Sequence, residues 1–185
     1  MPIPAGFPKG YEWLASVGQL PRTIVEAMRL HGIAEVVGKG SNATILSWRD
    51  ELNAAGVMIA GYSDDDVPWC GLFAAIAAHR AGKRVPENPL WARNWAKFGS
   101  PVVKAALGDV LVFQRPGGGG HVGFYIGEDS TAFHVLGGNQ GNAVTITRIR
   151  KERCIAVRRP EYSVPPASVR RFELAAAGAL SVNEA

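Results

Sequence analysis

Apolar positions recur at helical spacing through the first half of the chain and in short β-type runs through the second. From Leu20 to Leu30 they fall at Leu20, Ile24, Ala27, Met28 and Leu30 with charged residues between, which predicts an amphipathic helix ending before His31-Gly32. A second helix is predicted over about Asn42–Ala55, with Ile45, Leu46, Trp48 and Leu52 on its apolar side, Ser41 or Asn42 as cap and Gly56 as stop. The Ala-rich run Leu72–Ala81 predicts a third, preceded by an acidic turn, Ser63-Asp-Asp-Asp66, that suits the positive end of its dipole. Pro86, Pro89, Trp91 and Trp95 mark a short helix between loops within 86–106.

After Gly108-Asp109 the period changes. Val110–Phe113 and His121–Ile126 flank a glycine-rich turn and read as paired strands, followed by strands over Ala132–Leu136, Val144–Ile149 and Cys154–Arg158. Helices first and an antiparallel sheet second define an α+β class. The expected organisation is one domain over 1–162, with a helical part at about 11–56 and a core at about 60–160. The tail, 163–185, opens with Pro165-Pro166 and is expected to be accessory, with a small helix over Val169–Leu180.

A chain of 185 residues with 47% hydrophobic content closes one core. The net charge of +4 favours acidic surroundings. The basic residues between Arg148 and Arg171 have only Tyr162 and Phe172 near them, too few stacking aromatics for a nucleic-acid binder. Met1–Lys9 carries no basic segment followed by an apolar run, and no membrane-spanning stretch is visible. The expectation is therefore synthesis in the cytoplasm without a signal peptide, and no membrane insertion. Cys70 and Cys154 imply no disulfide framework.

Cys70 falls at the first turn of the third helix, where unpaired backbone N–H groups and the dipole stabilise a thiolate. The competing reading is a small buried hydrophobe. His121 sits where Gly117–Gly120 enters a strand. If it faces the core, Gly123 and Tyr125 share its face, and Gly123 leaves space beside the imidazole. A thiol on a helix and an imidazole on the sheet beneath it can form a nucleophile–base pair, against the alternative of a surface turn histidine. A third residue that orients the imidazole has two candidates, Asn139 first and His134 second. Each also has a structural reading, as turn residue and as half-buried strand residue. The glycines are followed by no Lys-Ser/Thr and no helix, which excludes a P-loop, and the His and Cys spacings match no zinc motif.

Four ordered motifs, Asp66-Val-Pro-Trp-Cys-Gly71, Gly108-Asp-Val-Leu-Val-Phe113, Gly119-Gly-His-Val-Gly-Phe-Tyr125 and Leu136-Gly-Gly-Asn-Gln140, resemble the NlpC/CHAP superfamily of papain-like cell-wall cysteine peptidases and amidases. The match runs from about Tyr11 to Pro160 and is closest to a CHAP-like branch of bacterial and prophage proteins, with Glu35–Asn42 also fitting. The resemblance implies a papain-like fold, Cys70 as nucleophile and His121 as base. It implies Asn139 as third residue, or His134 by the NlpC pattern; CHAP relatives often carry an acidic residue where this chain has Gly137-Gly138. Tyr62, Trp69, Gly120 and Gln140 are the candidates for substrate binding. No metal or cofactor is implied.

The implied activity is hydrolysis of an amide of the peptidoglycan stem peptide or cross-bridge by a monomer, through a thioester on Cys70, with delivery by phage-type release or dedicated secretion. A different class stays open: a non-catalytic wall-binding or phage structural module that has kept the fold.

Overall fold

The computed structural model describes residues 6–176 and 178–181. It is a mixed α+β structure in which three helices cover one face of a six-stranded antiparallel sheet. The helices are α1 (Arg22–Met28), α2 (Ala43–Ala54) and α3 (Cys70–Arg80). The strands are β1 (Ser100–Pro101), β2 (Val110–Gln114), β3 (Gly120–Glu128), β4 (Ala132–Gly137), β5 (Thr145–Arg150) and β6 (Cys154–Arg159), in the order β1-β6-β2-β3-β4-β5. No described helix is long and apolar enough to cross a membrane.

Asn42 caps α2, its side chain accepting from Thr44 N–H at 2.8 Å. The central helix α3 is buried from Cys70 to Ala78, which its all-apolar composition allows, and α1 and α2 pack around it. One sheet face, with Val110, Val112, Val122, Phe124, Ile126 and Leu136, joins the helices in the main core. The other carries Leu111, Phe113, Tyr125, Val135 and Ile149 in a second cluster. Two paired cores from one alternating sheet follow from the period of two along each strand.

The acidic turn does not serve α3 as the sequence predicts. Asp65 is buried, and its Oδ2 accepts from Val36 N–H (3.1 Å) and Asn42 N–H (2.7 Å), so it ties down the loop that leads into α2. The tail also departs from expectation, since none of its described residues is helical. Phe172 enters the core instead, and the tail runs as a strap with Phe172 O accepting from Glu128 N–H (2.9 Å) and Ser181 N–H donating to Arg148 O (2.9 Å). A short helix would have to meet its nucleation cost alone, whereas the strap uses backbone groups that strands already present. The 86–106 segment supplies a 3-10 helix, Ala92–Lys97, and the short edge strand β1, which the prolines around it had hidden.

Candidate active site

Cys70 is the first residue of α3, and its thiol lies against β3. Backbone hydrogen bonding by Val122, Gly71 and Cys70 itself acts on the thiol. Burial pushes the thiol pKa up; those three donors and the charge of Arg115 pull the other way. The Val122 N–H is available because the β3–β4 ladder stops at Phe124–Leu136, leaving the opening residues of β3 unpaired on that side. The start of α3 fills the gap. Val122 follows His121 directly, so the backbone that acts on the thiol belongs to the strand that carries His121.

His121 is 1% exposed, and its Nε2 lies 2.9 Å from Gln140 Oε1. The orientation of the Gln140 amide is fixed by its other end, where Nε2 donates to Val135 O (3.1 Å) and Thr145 O (2.7 Å). The oxygen must therefore face His121. An amide oxygen only accepts, so His121 carries its proton on Nε2 and its lone pair on Nδ1, the tautomer a general base needs. Gly137 makes room for this pair, since a Cβ there would stand 2.5 Å from Gln140 Oε1 and 3.0 Å from His121 Nε2, whereas Gly138 makes room for the start of α3, a Cβ there standing 2.5 Å from Phe73 Cβ.

The third-residue candidates fall elsewhere. Asn139 adopts φ 57°, the left-handed conformation that asparagine tolerates, and turns the chain so that the next side chain reaches the imidazole. The residue bonded to His121 is Gln140, which the sequence reading had assigned to substrate. His134 lies in a separate buried group, its Nδ1 2.7 Å from Tyr11 Oη and its Nε2 3.2 Å from Asp129 Oδ2, with Arg148 Nε 2.8 Å from the same carboxylate oxygen. The missed signal was the turn after Gly137, which runs over 138–142 with Asn139, Gly141 and Asn142 left-handed and Gln140 within it.

Other expectations are corrected by packing. Trp69 and Tyr62 are 0% and 2% exposed and belong to the core, not to a groove wall. The Trp69 indole N–H donates to Glu35 Oε2 at 3.0 Å. Gly120 does open β3 beside His121, and a Cβ there would lie 3.0 Å from Arg93 Cγ. His121 pairs with Phe113 across the ladder and so takes the side of Leu111 and Tyr125, the second face of the sheet, away from the helices. Gly123 shares that side. Its lack of a Cβ serves β4, which comes within 2.6 Å of that position through Val135 Cγ1, rather than space around the imidazole.

Among the described residues the only group of acidic or ligating side chains close enough for a metal is Asp64–Asp66, within 4.8 Å of one another, and Asp65 there already serves two backbone donors. Neither cysteine is in a disulfide. No protein-family model and no curated protein matches the chain.

Proposed function

We propose that the protein is a papain-like cysteine hydrolase of the NlpC/CHAP type that cleaves an amide bond in the peptide part of peptidoglycan. The observation that carries this reading is the buried His121–Gln140 pair, in which the amide sets the imidazole tautomer, on the strand whose Val122 backbone acts on the Cys70 thiol. Cys70 attacks the amide carbon; His121 takes the thiol proton on Nδ1 and returns it to the departing amine; water then hydrolyses the thioester, again through His121. The free N–H groups at the start of α3 suit the oxyanion of each tetrahedral intermediate. A net charge of +4 suits a substrate rich in carboxylates.

One observation favours a non-catalytic wall-binding module: Cys70 and His121 are 4% and 1% exposed, so substrate reaches them only if part of the rim moves. Incubation of wild type and Cys70→Ala with purified peptidoglycan, read by mass spectrometry of soluble fragments, separates the two. New termini from wild type alone support the hydrolase and identify the bond. Binding without new termini from either protein supports the module.

A further inference from the structure

Trp69 immediately precedes Cys70 and occupies the cap position of α3, yet its side chain makes no capping hydrogen bond to fix the direction of the helix start. Its carbonyl accepts from Phe73 N–H at 2.9 Å, so the residue is tied into the first turn. The ring is fully buried and held at both edges. Its six-membered edge lies on the backbone of Gly138, where a Cβ would stand 2.7 Å from Trp69 Cζ3 and 2.8 Å from Cε3. The opposite edge carries the indole N–H, which donates to Glu35 Oε2 at 3.0 Å.

Glu35 is bound in turn to the far end of the loop that contains Gly138. Segment 32–35 runs antiparallel to 142–144: Gly32 N–H donates to Val144 O (2.9 Å), Val144 N–H to Ile33 O (2.8 Å) and Glu35 N–H to Asn142 O (2.9 Å), with Ala34 bridging Ala143. Gln140 N–H donates to Ala143 O at 3.0 Å, so this brace reaches the residue bonded to His121. The Trp69 ring therefore meets both flanks of the turn that carries Gln140, Gly138 directly and Asn142 through Glu35. Val36 N–H also reaches the loop before α3, but its acceptor is Asp65, further along the chain from Cys70 than Trp69 is.

We infer that Glu35 is a positioning residue for the Cys70–His121 chemistry, its carboxylate oxygen fixing the Trp69 ring and with it the direction in which the start of α3 presents the thiol. The role rests on the hydrolase reading for its use, but activation of the thiol by His121 can be read without substrate. An indole N–H only donates, so the position needs an acceptor of this reach and not a charge. Without an acceptor the buried donor is left unpaired and the ring loses one of its two holds. A displacement of about 1 Å at a reacting group can cost roughly 100-fold in rate.

The test follows alkylation of Cys70 by iodoacetamide from neutral to high pH in wild type, His121→Ala, Glu35→Ala, Glu35→Gln and Trp69→Phe. Glu35→Ala and Trp69→Phe are expected to lose at least about tenfold of the His121-dependent rate at pH 7 and to keep the wild-type rate above pH 10, while Glu35→Gln stays within about threefold of wild type throughout. A wild-type rate in Glu35→Ala at pH 7 overturns the role. So does a change by the same factor at every pH, the mark of a loosened fold that alters access to the thiol, and so does a Glu35→Gln as slow as Glu35→Ala. If Glu35→Ala does not fold, Trp69→Phe carries the same comparison. Fragment release from peptidoglycan is scored separately. Wild type that releases nothing, while its alkylation depends on His121 and Glu35, sinks the hydrolase reading and leaves the positioning role standing; equal alkylation of wild type and His121→Ala at pH 7 leaves no pair to position, and the role falls.

Discussion

Gln140 holds the His121 imidazole through an amide whose two ends face opposite ways, Oε1 to the histidine and Nε2 to the carbonyls of Val135 and Thr145. A carboxylate in this place would serve the imidazole equally well and repel both carbonyls. The neutral amide is the one side chain of this size that satisfies all three neighbours.

Gln140→Ala is expected to lower kcat about 10- to 100-fold by releasing the tautomer, and to cost about 1–3 kcal/mol by leaving buried carbonyls unpaired. Asn139→Gly is expected to keep activity, because glycine adopts the φ of 57° without penalty. Steady-state kinetics and thermal melts on the two variants assign the orienting role; equal loss of kcat in both would return it to Asn139.

Burial holds the Cys70 thiol above its ordinary pKa, so the neutral form is the resting state near neutral pH unless a base removes the proton. Alkylation by iodoacetamide at pH 7 should fall at least about tenfold in His121→Ala and converge with wild type above pH 10, where hydroxide replaces the base. Equal rates at pH 7 would mean that the backbone donors alone ionise the thiol.

His134 and Asp129 form a separate buried pair that is expected to govern acid stability. Burial pushes the His134 pKa below its usual value, and the Arg148 hydrogen bond holds Asp129 well below the carboxylate range. Both folded values lie below the unfolded ones, so the unfolded chain takes up protons first as pH falls. The stabilisation is complete above the unfolded values, about 6.5 for histidine and about 3.9 for aspartate, and declines below them. Tyr11 also faces the imidazole, and its hydroxyl donates to Nδ1 only while the ring is neutral. Wild-type Tm should drop between pH 7 and pH 5, and His134→Gln should flatten that slope while retaining Cys70-dependent cleavage. A parallel slope in the variant would clear His134 of the role.

Periodicity read the three helices and five of the six strands to within a few residues, since each buries one face or a whole apolar run, as α3 does from Cys70 to Ala78. β1 escaped because two residues carry no period. The tail escaped because Val169–Leu180 has helix-forming composition, while the bond from Glu128 N–H to Phe172 O depends on a strand more than forty residues away. The placements of Cys70 and His121, at a helix start and at a glycine-to-strand entry, were legible from their local settings. The contact of Gln140 with the imidazole was not, because the left-handed turn at Asn139 decides which of two adjacent buried amides meets His121. Trp69 and Trp91 show the same limit: composition marks both as large aromatics, and only packing tells the one at 0% exposure from the one at 73%.

The interrupted pairing of β3 and β4 has an evolutionary cost written into it. A sheet gains cohesion by zipping to its ends, and sequence changes that extend this ladder past Phe124–Leu136 would harden the fold. They would also take the Val122 amide from the thiol it acts on. Under the proposed hydrolase function, selection for robustness alone would erase the site, and the unfinished seam at the start of β3 is where reactivity would be held at the expense of resilience.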